Sequence, residues 1–182
     1  MGIPSGYTSA QVVQAVPTGI NSALVLVKTQ TIGTAVSSVT VTGAFSATYD
    51  NYLINVSGGV ASTTNNLTMT LGSTATGYYY AGSFVGYGST TVTGLAGANQ
   101  ANWFSNVRGS TNSLNGQIFL FDPFNSKNTH FSSFGSRSDT SGNILQLGGY
   151  LADTTSYTAF TLTTDTGTVT GGTIRVYGYT NS

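Results

Sequence analysis

The stretch Asn66-Leu67-Thr68-Met69-Thr70-Leu71 alternates apolar and polar side chains without a break. A period of two puts Leu67, Met69 and Leu71 on one face of an extended strand and leaves Asn66, Thr68 and Thr70 on the other. Val39-Thr40-Val41-Thr42 repeats the pattern with its valines inward. Working outward from these two, short runs of β-branched and aromatic residues recur along the chain, each closed by Gly, Asn, Asp or Ser. Further strands are expected at 23–27, 52–56, 78–85, 103–107, 117–121, 130–134, 144–151, 157–162 and 173–179. The run Ala23-Leu24-Val25-Leu26-Val27 is apolar throughout and reads as a strand buried on both sides.

Composition points the same way. The 182 residues include 24 glycines and no glutamate, and only 5% are charged, against roughly 25% in an ordinary soluble domain. The straight-chain residues that favour helices are therefore scarce, and the spacing leaves no room for crossover helices. The fold expected is all-β: an antiparallel β-sandwich, jelly-roll-like, preceded by an extended N-terminal arm. The arm is 1–21 and the sandwich 22–182. The arm holds Ile3, Tyr7, Val12, Val13 and Val16, apolar groups that so short a segment cannot bury alone, so they are expected to bind a partner.

The glycine-bearing clusters Ser57-Gly58-Gly59, Asn115-Gly116 and Thr170-Gly171-Gly172 read as hairpin turns. The segment 86–100 offers four glycines and few core anchors, and reads as a long contact loop.

Five Lys and Arg balance five Asp, so no field is available to attract nucleic acid or an anionic membrane. No run reaches the roughly 20 apolar residues of a membrane span, and the first residues lack the pattern of a secretion signal. With no cysteine, disulfides, thiol catalysis and Cys-based zinc sites are excluded. One histidine and five scattered Asp make a poor acid–base inventory, so no catalytic residue, metal site or cofactor is expected. His130 alternates with Phe131 and is expected on a strand surface. Asp50, Asp122, Asp139, Asp153 and Asp165 each lie beside a turn signal, and 139–143 only loosely matches the start of a calcium loop. The aromatic residues of 78–104 are the positive clue. Either Tyr79 or the pair Tyr78 and Tyr80 must face outward, and Tyr79, Tyr87 and Trp103 are candidate glycan or interface contacts.

Three segments carry a resemblance: Phe45-Ser46-Ala47-Thr48-Tyr49-Asp50-Asn51-Tyr52-Leu53-Ile54, Gly116-Gln117-Ile118-Phe119-Leu120-Phe121-Asp122-Pro123-Phe124 and Gly172-Thr173-Ile174-Arg175-Val176-Tyr177-Gly178. From about residue 22 onward the chain resembles small structural proteins of tailed bacteriophage virions, especially those of cyanobacterial and marine hosts. The resemblance implies a β-sandwich, usually a trimer, on the particle surface. It leads to a capsid decoration (cement) protein that docks through its arm on the major capsid protein or on tail components. The alternative is a short tail or head fibre whose sandwich binds a host-surface glycan. No shaft of heptads or collagen-like triplets is present to make a complete fibre.

Overall fold

The computed structural model describes residues 23–139 and 142–181. Among them are twelve strands and no helix: β1 (Leu24–Thr31), β2 (Ser38–Val41), β3 (Asn51–Ala61), β4 (Asn65–Leu71), β5 (Tyr78–Gly86), β6 (Val92–Gln100), β7 (Trp103–Ser110), β8 (Ser113–Phe121), β9 (Thr129–Ser136), β10 (Asn143–Leu151), β11 (Phe160–Thr164) and β12 (Val169–Tyr179). All named pairings are antiparallel.

Eight of these strands form a jelly roll. One layer has the order β1-β12-β3-β8 and the other β2-β11-β4-β7, so consecutive early strands alternate between layers and each meets a late one. The layers join where Arg108–Ser110 at the end of β7 pairs with Ser113–Asn115 at the start of β8. Two inserted hairpins, β5-β6 and β9-β10, extend the first layer in the order β8-β9-β10-β5-β6. That extension, the wing, gives one layer eight strands and the other four.

The alternation read from the sequence sets the core. Leu67, Met69 and Leu71 are buried, as is Val41, with Ile54, Val56, Ile118, Leu120, Ile174 and Val176 arriving from the opposite layer. Tyr78 is buried among them. Its hydroxyl accepts from the Leu71 amide at 2.9 Å and donates to the Thr74 carbonyl at 3.0 Å.

β7 carries the irregularity that fixes the spacing of the layers. Between the pairs Leu67↔Val107 and Thr68↔Phe104 the strand bulges, and Asn106 takes φ = 61°. The fully buried Asn106 side chain donates from Nδ2 to the Ser133 carbonyl (3.1 Å) and hydroxyl (3.0 Å) of β9, and to the Leu145 carbonyl of β10 (3.4 Å). Its own carbonyl drives into the facing layer. A Cβ on Gly135 would sit 2.0 Å from that oxygen, and one on Gly116 would sit 2.7 Å away.

Several expectations are corrected. Among the described residues β1 is an edge strand, not a doubly buried one: it pairs with β12 alone, and Leu26 is 53% exposed because none of the described strands covers that face of the sheet. The segment expected as a contact loop contains β6, which hydrogen bonds to β5 along its length; backbone pairing supplies the order that its side chains cannot. Asn115-Gly116 lies inside β8, the Gly58-Gly59 and Gly171-Gly172 clusters lie inside the β3·β12 pair, and β3 shifts register against β8 between Val56 and Gly59. A Cβ on Gly59 would lie 2.4 Å from the Gly171 carbonyl oxygen, so glycine there permits close backbone approach rather than chain reversal. The strand expected at 157–162 begins at Phe160, with Tyr157 buried in the preceding loop.

Two outcomes follow for stability. Gly135→Ala must displace either the Asn106 carbonyl or β9 and is expected to cost about 1–3 kcal/mol. Gly94→Ala on β6, where nothing lies within 4 Å of the added carbon, should stay within about 0.5 kcal/mol in urea denaturation. The second outcome concerns alkaline pH. Burial pushes the Tyr78 hydroxyl up to about 12 from 10.0. A raised pKa gives stability that is complete below the unfolded value and is lost as pH rises through 10 to about 12. Denaturation of the native chain and Tyr78→Phe across that range should show the variant weaker at neutral pH by about 1–3 kcal/mol, with a shallower alkaline decline.

Candidate functional site

Because the core takes one set of alternate residues from the eight-stranded layer, the other set forms an outer face, and the register aligns it into three rows. The first row runs Asn51, Phe121, His130, Tyr150, Tyr79 across β3-β8-β9-β10-β5. The second runs Tyr177, Leu53, Phe119, Ser132, Gly148, Ala81, Ala96 from β12 to β6. The third runs Arg175, Asn55, Gln117, Phe134, Gln146, Ser83.

In the wing half the middle row is all small: Ser132, Gly148, Ala81 and Ala96. Rows of larger side chains stand two residues away on either side, about 14 Å from one another at roughly 3.4 Å per residue. The result is a trough that crosses the strands. Tyr79 and Tyr150 stack at 5.0 Å with planes 5° apart, and His130 tilts against Tyr150 at 5.8 Å. One hollow of about 280 Å³ lies over Tyr79, Tyr150, Ala81 and Gly148, and another of about 280 Å³ lies over Ser83, Ser132 and Gln146. A third, of about 460 Å³, continues over Asn55, Gln117, Phe134, Arg175 and Tyr177.

The groups on this face are ring edges, amides, hydroxyls and one guanidinium. They can hydrogen bond and stack. His130 is exposed, as alternation with Phe131 requires, and no carboxylate stands in the three rows beside it.

The Asp residues serve loops. Asp153 accepts from the Thr155 amide at 2.7 Å, and the hydroxyl and amide of Thr155 hold its carboxyl below the usual range. Asp165 binds the amide and side chain of Asn66, and Asp139 binds Arg137 at 2.7 Å and the Thr64 hydroxyl at 2.8 Å. Sequence distance hid one pairing. Asp50 and Asp122 converge on the Asn125 side-chain amide, which donates to both at 3.2 and 2.6 Å. Among the described residues no group of three His, Cys, Asp or Glu is placed to hold a metal ion.

The expected contact residues separate. Ile3, Tyr7, Val12, Val13 and Val16 lie outside the described residues. Of the three consecutive tyrosines, Tyr79 faces out and Tyr78 enters the core. Tyr87 is exposed at the wing tip, its amide bonded to the Gly142 carbonyl. Trp103 corrects the expectation: it is fully buried, its ring 5.1 Å from Tyr78 and 4.5 Å from Phe131, and its Nε1 donates to the Tyr150 carbonyl at 3.3 Å. A large ring at the start of a strand that crosses the core has more to gain from burial than from display. Tyr150, Phe134, Gln146, Gln117, Asn55 and Arg175 were not singled out from the sequence, although each alternates with a core residue of its strand.

Comparison with protein-family models, with curated proteins and with solved structures finds no match.

The contrast between exposed His130 and buried Trp103 is directly measurable. His130→Ala should change unfolding free energy by no more than about 0.5 kcal/mol, whereas Trp103→Ala should cost about 3–5 kcal/mol.

Proposed function

We propose that this chain is a non-enzymatic structural protein of a tailed-phage virion: a decoration protein on the particle surface that docks through its N-terminal arm and associates, most simply as a trimer, through the uncovered face of its large sheet. The observation that carries the proposal is that face. Leu26, Phe121, Phe134, Ile144 and Val92 are all exposed on it, in a chain with 5% charged residues to offset them. Exposed apolar side chains spread over a sheet face so poor in charge suit an association surface. The outer edge strand β6 carries no charged residue or proline to discourage pairing. The three segments that resemble virion proteins also support the reading, since they supply β3, β8 and β12, which are neighbours in one layer.

The trough favours a second reading, a fibre-type protein that binds a host-surface glycan. A floor of Gly, Ala and Ser between aromatic and amide walls suits a chain of sugar rings, whose apolar faces stack on aromatics while their hydroxyls bond to amides.

Two measurements separate the readings. Sedimentation of the full-length chain should show a discrete oligomer that Phe121→Lys combined with Phe134→Lys dissociates, and antibody labelling should place the protein on the heads of purified virions. A chain that stays monomeric and is missing from virions overturns the proposal. Gly148→Trp puts a large ring on the trough floor, where an added Cβ meets nothing nearer than the Phe131 carbonyl oxygen at 3.5 Å. Glycan-array binding by the native chain that this variant abolishes would favour the fibre reading.

A further inference from the structure

On its inner side the wing overhangs the edge of the four-stranded layer. Beneath the overhang, Phe84, Leu95 and Leu145 face Phe104 and Arg108 of β7, with Asn66, Asn143 and Arg137 completing a cleft of about 230 Å³. It lies on the opposite side of the wing from the trough and shares no residue with it.

The charges in the cleft do not cancel at contact distance. Arg137 is held by Asp139. Arg108 is only 5% exposed, its buried Nε has no hydrogen-bond partner, and among the described residues no carboxylate lies within ion-pair distance of it. Burial lowers its pKa to about 10, helped by the charge of Arg137 and opposed by Asp139, Asp165 and Tyr87, so it remains a cation at neutral pH. A buried cation without a partnered anion is strongly disfavoured, and a guanidinium fork matches a planar carboxylate. The single uncompensated charge fits a monoanion better than a dianion, which the carboxylates of Asp139 and Asp165 would repel.

The remaining lining narrows the ligand. Four apolar side chains, two of them phenyl rings, suit a body of about one ring. Asn66 donates its amide hydrogen to Asp165, while its buried Oδ1 receives no donor. An unmet acceptor beside an unmet cation calls for a hydroxyl close to a carboxylate. We infer that this cleft binds an acidic sugar, its carboxylate on Arg108, a ring hydroxyl on Asn66 Oδ1 and its apolar ring face against Phe84 and Phe104. The inference is independent of whether the outer face docks a neighbour or a glycan.

The test is titration of the full-length chain with glucuronate, glucose, benzoate and benzamide, followed by calorimetry or amide chemical shifts. Glucuronate should bind saturably and at least about tenfold more tightly than glucose, and benzoate should fall between glucuronate and benzamide. Arg108→Met, which replaces a buried charge by an apolar chain of similar length, should weaken glucuronate at least about tenfold while thermal unfolding shows the fold retained. Leu95→Trp, placed on an edge strand, fills the cleft with Arg108 intact and should also abolish binding, so the test survives if one variant misfolds. Glucose binding as well as glucuronate, no saturable glucuronate binding, or full binding by both variants would overturn the inference. Benzoate matching glucuronate would overturn the assignment of a sugar.

Discussion

The Asn106 amide bonds hold the molecule's two layers in their relative position. A residue in the left-handed region, inside a bulge of the shared strand, sends its carboxamide into the facing layer, where it meets the backbone carbonyls of two wing strands. Few side chains serve as well. Asparagine tolerates positive φ, and its Nδ2 hydrogens face Ser133 and Leu145 at a depth where water does not reach. Glycines at 116 and 135 are the counterpart, because they vacate the volume into which the Asn106 carbonyl moves. Trp103 adds a second tie to β10, so the bulged strand is anchored to the wing at both ends of its first half.

With that spacing fixed, the two sides of the wing acquire different chemistry from the same strands. β5 sends Tyr78 and Phe84 inward and Tyr79 and Ser83 outward, and β10 sends Leu145 inward and Gln146 and Tyr150 outward. The outward set makes a nearly uncharged trough. The inward set, where it passes the edge of the small layer, leaves space beside a buried guanidinium. The inserted hairpins supply the trough's floor and one wall of the cleft, while the framework strands β4 and β7 supply Asn66, Phe104 and Arg108 on the cleft's other side.

How much of this could be read from the sequence depended on whether a residue's role was local. Period-two alternation is local, and it placed Leu67, Met69, Leu71, Val41 and the outward His130 correctly. Glycine was ambiguous: the same residue permits a turn, a bulge or a close backbone contact, and Gly59, Gly116 and Gly172 serve the latter two. Apolarity was ambiguous in the same way at Ala23–Val27, where an uncovered face, not a second layer, lies beyond the strand. The trough and the cleft were not legible because both depend on register. Arg108 and Arg137 are separated by 28 intervening residues, and nothing near either one announces that a hairpin will place them in one cleft. Trp103 shows the converse error, in which a cluster of aromatics along the chain is divided by the fold between core and surface.

The nesting of early strands with late ones has a consequence for synthesis. Among the described residues β1 comes first in chain order and pairs with β12 alone, and β2 pairs with β11 alone. On the ribosome, Leu24 to Thr31 therefore emerges long before β12 exists to pair with it, and the sandwich closes only once β12 has emerged. Such distant pairings close slowly, and the apolar run in β1 stays exposed for the whole interval. With almost no charge along the chain to keep nascent copies apart, yield in the cell is set by how soon β12 arrives, so expression at lower temperature or with chaperones present should recover folded protein that rapid synthesis loses to aggregation.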